Sequence, residues 1–401
     1  MPETRRLIIL GSTGSIGVQT LEVVERLNAL AERGEHPTRY EIVALAAGRN
    51  ASRLREQASR FRVRHLALAD VDVEFAGAAR RGPDAAESLI HDVEADLVVS
   101  AMVGAAGLPA TLAAARKGVD IALANKEALV AAGSLVTRAA RASGAALLPL
   151  DSEHSALWQC LSGLSRDPAL TPALPRLPEG VRRLILTASG GPFRDWDADQ
   201  IATATREQAL AHPTWDMGPK ITIDCASMTN KALELIEAHW LYAAPADRLG
   251  VLVHPQSIIH SIVETADGSQ LAQLGAPDMR TPIQIALTHP HRAPAPAPRL
   301  DLAALGRLDF EAPDPRRFPA LACAREVIER GGIAGAVFNA ANEAAVEAFL
   351  DPGSSLSFGM IAELAADALR ELGAGDLTSL DDALAADAEA RRFVARRLVE
   401  A

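Results

Sequence analysis

The 401-residue sequence has little cysteine, little aromatic content and no long apolar run. Its three cysteines, Cys160, Cys225 and Cys323, are widely spaced and never form a CxxC pair, which argues against a disulfide framework or a zinc site. No apolar run approaches the roughly 20 residues that a membrane-spanning helix needs. The apolar residues 7–10 are too few for the core of a signal peptide. We therefore expect a cytoplasmic protein that does not enter a membrane.

Basic side chains are outnumbered, and lysine is especially rare. The chain has 40 basic and 51 acidic residues, so its net charge of −11 argues against nucleic acid or an anionic membrane as the main partner. Residues 301–401 hold 18 acidic and 10 basic side chains, whereas residues 1–300 are nearly neutral. The four lysines are Lys117, Lys126, Lys220 and Lys231. Because arginine and lysine are not interchangeable at a tight site, these positions are candidates for function.

The length and the apolar patterns predict an α/β protein of two or three domains. In residues 1–150, apolar strands alternate with helical patterns, which is typical of a parallel sheet. These strands are predicted over residues 6–10, 40–46, 65–68, 96–100, 119–124 and 145–150. Residues 151–292 combine strands at 182–188 and 249–253, a hairpin at 258–274 and a helix at 228–241. An APAPAP segment marks a linker over 293–312, and residues 313–401 contain four helical patterns, at 318–330, 334–350, 359–372 and 380–399.

A glycine-rich segment follows the first predicted strand. Gly11, Gly14 and Gly17 are spaced three apart and lead into a helix, an arrangement that lets backbone amides approach a pyrophosphate. The spacing differs by one residue from G-x-G-x-x-G, so a simple tight turn between strand and helix stays an alternative. The second strand ends at Arg49 rather than at an acidic residue, which favours the 2′-phosphate of NADPH.

Carboxylates form the second candidate site. If the chain stays extended after the sixth strand, Asp151 and Glu153 face the same side. On the helix over 228–241, Asn230 and Glu234 are four residues apart and share a face that Lys231 borders. Three carboxylates without a cysteine or imidazole cluster suit a hard cation, Mg²⁺ or Mn²⁺. The alternative is a solvated acidic strand end beside an ordinary amphipathic helix.

Two further segments surround this candidate site. Residues 189–191, Ser-Gly-Gly after a strand, suit a backbone nest for phosphate oxygens. Residues 212–220 place His212, Trp215 and Met217 on a loop, which suggests a lid that closes over a ligand, although a buried loop with Trp215 in the core would read the same way. Three of the four lysines lie in candidate site segments: Lys220 in the loop over 212–220, Lys231 on the helix over 228–241, and Lys126 just after the predicted strand over 119–124. Lys117, at a helix end, is expected to be solvated.

The motifs together resemble the 1-deoxy-D-xylulose 5-phosphate reductoisomerase family. The matching segments run in order over about residues 10–350 and read GSTGSIG, AGRN, ALANKEALV, LPLDSEHSALWQ, TASGGPFR, HPTWDMGPKITID, NKALELIEAHWL, VHPQSIIHSIVE and FNAANEAAVEAFL. This ordered set is far more specific than a glycine motif alone.

The resemblance implies an architecture and a reaction. It implies a Rossmann-like NADPH-binding domain over 1–150, an α/β catalytic domain over 151–292, the linker over 293–312 and a C-terminal helical bundle over 313–401. It also implies a homodimer that uses NADPH and Mg²⁺ or Mn²⁺, with Co²⁺ as a third candidate metal. The substrate is a phosphorylated sugar, 1-deoxy-D-xylulose 5-phosphate, which is isomerised and reduced to 2-C-methyl-D-erythritol 4-phosphate in non-mevalonate isoprenoid synthesis.

Matching positions assign the site residues that the resemblance implies. NADPH would be contacted by Thr13, Gly14, Ser15, Ile16, Gly48, Arg49, Asn50, Asn125, Glu127 and Gly218. The metal ligands would be Asp151, Glu153 and Glu234. The substrate would be bound by Lys126, Ser152, Glu153, Ser189, His212, Cys225, Asn230, Lys231 and Glu234. The catalytic set would be Lys126, Asp151, Glu153, His212 and Glu234, with Lys126 and Glu153 as candidates for proton transfer.

One position departs from the family, and two other readings stay open. Cys225 stands where the family has a phosphate-binding serine, and a thiol is a weak donor. Another two-domain NADP oxidoreductase, such as a semialdehyde or homoserine dehydrogenase, would explain the first 125 residues without a metal requirement. A non-catalytic NADP-binding sensor is the second alternative, which the intact candidate ligands disfavour.

Overall fold

The first half of the chain folds around a seven-stranded parallel sheet. The structure, a computed structural model, describes residues 2–72, 79–165, 170–213 and 217–400. The strand order is β4-β3-β2-β1-β5-β6-β7. The elements of this half are β1 (Glu3–Leu10), α1 (Ser15–Glu32), β2 (Thr38–Ala47), α2 (Ala51–Phe61), β3 (His65–Leu68), β4 (Ala79–Arg81), α3 (Ala85–Asp92), β5 (Leu97–Ser100), α4 (Leu108–Lys117), β6 (Asp120–Leu123), α5 (Lys126–Ser143) and β7 (Leu147–Pro149).

The apolar runs explain the position of these strands. Leu7, Ile8, Ile9 and Leu10 at the end of β1 are at most 1% exposed, because helices cover both faces of a parallel sheet. β1 pairs with β2 on one side and with β5 on the other, so the chain reverses its winding between β1 and β5. Ligands of open α/β sheets bind at such a switch point, outside the carboxyl ends of the strands.

A smaller mixed sheet follows, in the order β11-β10-β8-β9. β10 is antiparallel to β8 and β11, and β8 is parallel to β9. The elements of this part are α6 (Ser152–Leu164), β8 (Val181–Ala188), α7 (Ala198–Ala202), α8 (Arg206–Leu210), α9 (Pro219–Ala226), α10 (Thr229–Tyr242), β9 (Leu249–Val253), β10 (Ile259–Thr265), β11 (Gln270–Leu274) and α11 (Arg280–Thr288).

Helices make up the C-terminal region. They are α12 (Leu302–Leu305), α13 (Ala320–Arg330), α14 (Ala334–Leu350), α15 (Phe358–Leu372) and α16 (Leu380–Glu400). α14 is the central helix of this group, since it packs against α13, α15 and α16. The group is not a detached lobe, because α14 also contacts α5 and α9, and α13 contacts α10.

The predicted fold class is confirmed, with a parallel α/β sheet, a second α/β part and C-terminal helices. The expectation of an extended chain at Asp151 and Glu153 is wrong, because α6 begins at Ser152 and Asp151 is its N-cap. The sequence analysis also missed β4, α7, α8, α9 and α11. Within the predicted linker, Glu311 pairs with Val253 by two backbone hydrogen bonds of 2.8 and 2.9 Å, so this segment is not a free spacer.

Two other expectations concern single segments. Among the described residues, no helix is both long and apolar enough to span a membrane. Trp215 of the predicted lid lies outside the described residues, so closure of that loop stays a prediction. The end of the loop differs from the expectation, because Pro219 and Lys220 already belong to α9, with the proline in its first turn.

The crossing of α14 over α5 yields a stability prediction. A Cβ at Gly335 would lie 1.9 Å from the carbonyl oxygen of Val130, so Gly335→Ala must push the two helices apart. We expect the free energy of unfolding to fall by about 1–3 kcal/mol. Gly163→Ala is the control, because this helical glycine faces open space, and alanine should be neutral or stabilising by up to about 1 kcal/mol. Equal urea midpoints for the two variants in chemical denaturation would contradict the close crossing.

Candidate active site

The glycine-rich segment turns at the switch point of the parallel sheet. Gly11 has a φ of +81°, and a Cβ there would lie 2.3 Å from the carbonyl oxygen of Ala101, which follows β5. A Cβ at Gly17 would lie 2.4 Å from the carbonyl oxygen of Gly11. Gly14 is the N-cap of α1 and offers no side chain to its first amides. The first turn of α1 is therefore open to an anionic ligand.

The end of β2 lies at the same edge of the sheet. The Arg49 side chain is 88% exposed, and its Nε lies 3.1 Å from Asp70 Oδ2, so a charged guanidinium is held near the edge but stays accessible. The side chain of Asn50 accepts a hydrogen bond of 3.0 Å from the backbone N–H of Arg53 and thereby caps α2. Capping of α2 thus explains an asparagine at residue 50 without a ligand. Gly48, two residues earlier, is exposed.

Asn125 and Glu127 lie at the start of α5. Asn125 Nδ2 donates to the carbonyl oxygens of Met102, at 2.6 Å, and Gly104, at 2.9 Å, and so fixes the loop after β5. It also lies 3.1 Å from Glu127 Oε2. The other oxygen of Glu127 lies 3.3 Å from Lys220 Nζ on α9. These contacts join the loop after β5 to the helix that follows residue 218.

A cavity of about 500 Å³ lies between the two sheets, a size typical of small-molecule sites. It brings together most of the predicted site residues: Ser15, Ile16, Lys126, Asp151, Ser152, Glu153, Ser189, His212, Gly218, Cys225, Asn230, Lys231 and Glu234. The remaining predicted cofactor residues do not line it: Thr13, Gly14, Gly48, Arg49, Asn50, Asn125 and Glu127.

Lys126 is a buried ammonium group at the floor of this cavity. Its Nζ forms an ion pair with Asp151 and lies 3.0 Å from both Asn230 Oδ1 and Glu234 Oε1. Burial disfavours the charge of Lys126, but the neighbouring carboxylates outweigh burial and raise its pKa. For Asp151, burial is likewise outweighed by Lys126, and the pKa of its carboxyl is lowered. Both groups are therefore charged at neutral pH.

Lys231 holds the second half of the carboxylate cluster. Its Nζ lies 2.6 Å from Glu153 Oε1 and also pairs with Glu234 one turn further along α10. Burial raises the pKa of Glu234, and the charge of Glu153 adds to that rise. Donor atoms of Asp151, Glu153 and Glu234 lie within 4.8 Å of one another. Three carboxylate oxygens at one wall of a cavity suit a hard divalent cation.

A second cluster shares Asp151 but lies deeper. His154 and Glu237 are fully buried, and His154 Nδ1 lies 3.4 Å from Glu237 Oε2. His154 Nε2 lies 2.9 Å from the carbonyl oxygen of Glu234, so the ring is oriented by the backbone of α10. Burial, reinforced by the charge of Asp151, raises the pKa of Glu237 far above its usual range. His154 and Glu237 do not line the cavity, whereas Asp151, Glu153 and Glu234 do, so the cluster at the cavity wall is the better cation site.

The segment after β8 forms the opposite wall. Gly190 and Gly191 have φ values of +86° and +64°, and the N–H of Gly191 lies 3.2 Å from Ser189 Oγ. Ser189 Oγ lies 3.2 Å from His212 Nε2, and burial lowers the pKa of His212, so the ring is neutral at neutral pH. This turn is a concave surface of the kind that binds phosphate oxygens.

Cys225 lies directly beside this turn. A Cβ at Gly191 would lie 2.7 Å from the carbonyl oxygen of Cys225, so only glycine allows the approach. Burial raises the pKa of the Cys225 thiol, with the charge of Glu234 as the next cause. The group is therefore a protonated thiol at neutral pH, which is a weak hydrogen-bond donor. Cys160 and Cys323, by contrast, are buried away from the cavity lining.

Sequence reasoning missed several residues that line the cavity. They include Thr187, Ile221, Ser257, His260 and residues 277–280. His260 is 7% exposed, and burial with the charge of Lys231 lowers its pKa to about 4. Asp278 pairs with Arg280 at the start of α11, and this segment had no motif that could have marked it. Lys117, expected to be solvated, instead binds the carbonyl oxygen of Ile90 at 3.0 Å and caps α3.

Fold and site define a class of enzyme. A parallel sheet with an anion-binding switch point, next to a cavity walled by three carboxylates, is typical of a dinucleotide-dependent oxidoreductase that also uses a divalent cation.

The comparisons specify the family. Sequence models described as 1-deoxy-D-xylulose 5-phosphate reductoisomerase match residues 7–133, and those of the C-terminal domains of this enzyme match residues 147–242 and 274–393. The chain is 49% identical to the 1-deoxy-D-xylulose 5-phosphate reductoisomerase of Caulobacter vibrioides, with 98% of this chain and 96% of that protein covered. It is also 49% identical to that of Rhodospirillum centenum, with 97% and 93% covered. The chain belongs to the 1-deoxy-D-xylulose 5-phosphate reductoisomerase family.

Solved structures agree with this assignment. The reductoisomerase from Zymomonas mobilis in complex with NADPH is 44% identical and superposes with a TM-score of 0.85 over 99% of both chains. A reductoisomerase in complex with NADPH, fosmidomycin and magnesium is 38% identical and superposes with a TM-score of 0.88 over 98% of both chains. The similarity therefore extends over both sheets and the C-terminal helices.

The two acidic clusters give opposite predictions for metal binding. Glu234→Gln removes a charged oxygen at the cavity wall, so we expect Mn²⁺ affinity to fall by about 100-fold. Glu237→Gln, on the next turn of the same helix, leaves the three carboxylates at the cavity wall in place and should change Mn²⁺ affinity by about threefold at most. Isothermal titration with MnCl₂ measures both. Loss of binding in Glu237→Gln alone would move the cation to the deeper cluster.

Proposed function

We propose that this chain converts 1-deoxy-D-xylulose 5-phosphate to 2-C-methyl-D-erythritol 4-phosphate, in non-mevalonate isoprenoid synthesis, with NADPH and a divalent cation. It is an NADP-dependent oxidoreductase of the reductoisomerase family. The observation that carries the proposal is the cluster of Asp151, Glu153 and Glu234 with two buried lysines. This cluster lines the same cavity as the first turn of α1, whose N-terminus is open to an anion. A semialdehyde or homoserine dehydrogenase would not need this carboxylate cluster.

The cofactor sites fit residues that are present. The first turn of α1, with Ser15 and Ile16, would bind the pyrophosphate of NADPH, and the exposed Arg49 would pair with its 2′-phosphate. Asp151, Glu153 and Glu234 would hold Mg²⁺ or Mn²⁺, with Co²⁺ as a further candidate. When bound, NADPH supplies the hydride for the reduction and the cation polarises substrate oxygens.

The remaining proposed roles belong to side chains of the cavity. Ser189, Cys225, Asn230 and Lys231 would bind the phosphate, since they surround the concave turn after β8 and the start of α10. Ser152 and His212 would orient the rest of the sugar. Lys126, an ammonium group, would donate a hydrogen bond to a substrate oxygen, and Lys126 and Glu153 are the candidates for proton transfer. Both groups line the cavity, within reach of a bound substrate.

Assembly and location are further parts of the proposal. β11 forms an edge of the smaller sheet, and its free side would pair with the same strand of a second copy to give a homodimer. Sedimentation equilibrium measures this, and a monomer at micromolar concentration would contradict it. The three free cysteines fit a reducing cytoplasm. Fractionation of the source cells, followed by immunoblotting, tests that location.

The activity itself is tested with the full-length chain. We expect NADPH consumption that depends on 1-deoxy-D-xylulose 5-phosphate, disappears with a chelator and returns with excess Mg²⁺ or Mn²⁺. The absorbance of NADPH reports the rate, and NMR of the product identifies the branched polyol phosphate. Turnover that persists after complete metal removal would overturn the metal role. Binding of NADPH without turnover would favour a non-catalytic sensor.

The thiol at residue 225 gives a prediction particular to this chain. Because a hydroxyl donates a stronger hydrogen bond than a thiol, Cys225→Ser should lower the KM for 1-deoxy-D-xylulose 5-phosphate by about 3–10-fold, with kcat nearly unchanged. Cys160→Ser, a buried thiol remote from the cavity lining, is the control and should leave KM as it is. An unchanged KM in Cys225→Ser would mean that this side chain does not bind the phosphate.

A further inference from the structure

Three polar residues of α14 lie on the buried part of this helix, among apolar side chains. Asn339 and Asn342 are fully buried, and the Glu343 side chain is 13% exposed. Their spacing of three and four residues places all three on one face of the helix. The Oδ1 atoms of both asparagines accept no hydrogen bond within the described residues. Such burial lowers stability, so packing of the C-terminal helices does not explain these side chains.

Asn342 connects α14 to α9. Its Nδ2 donates a hydrogen bond of 2.8 Å to Oδ1 of Asp224, which is 1% exposed. The other oxygen of Asp224 lies 2.8 Å from Lys220 Nζ, one turn earlier on α9. Asn342 therefore positions the carboxylate of Asp224, which in turn positions the ammonium group of Lys220.

Lys220 connects Asp224 to Glu127, a residue of the proposed NADPH site. Burial disfavours its charge, but Asp224 and Glu127 outweigh burial and raise its pKa, so it is an ammonium group at neutral pH. It lies 3.3 Å from Glu127, whose other oxygen lies 3.1 Å from Asn125. A chain of polar contacts thus runs from the C-terminal helices through α9 to the start of α5.

Glu343 and Asn339 form a second branch, which connects α14 to α16 and to the loop after β5. Asn339 Nδ2 donates to Glu343 Oε1 at 3.1 Å, and Arg391 of α16 pairs with the other oxygen. A Cβ at Gly104 would lie 2.9 Å from Glu343 Oε1, so this carboxylate abuts the loop after β5. The side-chain amide of Asn339 donates to Glu343 of its own helix rather than to Asp224, so Asn339→Ala leaves the contact between Asn342 and α9 in place and serves as a control for Asn342.

We infer that Asn342 is a positioning residue for NADPH binding, acting through Asp224 and Lys220 on Glu127. This inference rests on the proposed NADPH site, to which Glu127 and Gly218 are assigned. α9 begins directly after Gly218, so the hydrogen bond from Asn342 sets the position of both assigned residues relative to the parallel sheet. The C-terminal helices thereby take part in the affinity for the cofactor.

The test compares Asn342→Ala with Asn339→Ala. Both variants truncate a fully buried asparagine of the same helix, so both should lower the thermal midpoint to a similar extent. Only Asn342→Ala removes the hydrogen bond to Asp224, so only this variant should raise the Kd for NADPH, by about 10-fold. The reason is that α9 then occupies the binding-competent position only part of the time. Fluorescence titration with NADPH alone measures Kd. The kcat at saturating NADPH and substrate should stay within about twofold in either variant, since binding restores the arrangement.

A second, isosteric variant covers the case in which Asn342→Ala does not fold. Asp224→Asn keeps the volume but releases Lys220, and it should raise the NADPH Kd to a similar extent. The variant that combines Asn342→Ala with Asp224→Asn should have a Kd for NADPH no higher than the higher of the two single variants, because both substitutions act through one chain of contacts. Equal Kd changes in Asn342→Ala and Asn339→Ala, or additive changes in the double variant, would overturn the inference.

One further variant separates this inference from the proposed cofactor site. Glu127→Gln removes the charge that faces Lys220 and should weaken NADPH binding if Glu127 belongs to the site. If Glu127→Gln leaves Kd unchanged, the assigned NADPH site is wrong. If Glu127→Gln raises Kd and Asn342→Ala does not, the site stands and the positioning role of Asn342 is wrong.

Discussion

The burial of opposite charges together is the constraint on which this structure depends. Lys126 and Lys231 would each be costly to bury alone, and so would Asp151 and Glu234. Paired within 3 Å, they join the start of α5, the N-cap of α6 and the middle of α10. These elements lie on both sides of the cavity, so the ion pairs fix how the parallel sheet faces the smaller sheet. Removing one partner would leave a buried charge uncompensated, which is far more costly than losing the pair.

The C-terminal helices have a different place in the molecule from the one their sequence suggests. Residues 301–401 hold 18 acidic and 10 basic side chains, a balance typical of a solvated surface. In the fold, α14 lies against α5 and α9, and the buried Asn342 side chain donates to Asp224 of α9 instead of facing solvent. Gly335 makes this approach possible, because any larger residue would collide with the backbone of α5. Stability of the C-terminal helices and geometry of the site are therefore linked through one helix crossing.

The sequence predicted what local patterns encode and missed what tertiary contacts decide. Buried strands such as β1 and β5 are continuous apolar runs, and the loops at their ends carried recognisable motifs. β4 is three residues long and mostly charged, so no pattern marked it. Asp151 was misread as extended because the apolar run of the predicted strand continues to Leu150, directly before it, although an aspartate before an apolar helical run is an N-cap signal. Residues 277–280 line the cavity because β11 and α11 pack against α6. A local sequence pattern does not predict that tertiary contact.

The rarity of lysine has a practical consequence. The side chains of Lys126 and Lys231 are 8% and 4% exposed, Lys220 is 22% exposed, and even Lys117 is 26% exposed and bound to backbone carbonyls. Almost every other cation of this protein is a guanidinium. Amine-directed reagents, which label the surface of most proteins, would here find few side chains outside the cavity. Covalent labelling of amines in this protein would therefore give a sparse pattern in which Lys117, the most exposed of the four lysines, reacts before the buried ammonium groups of the cavity.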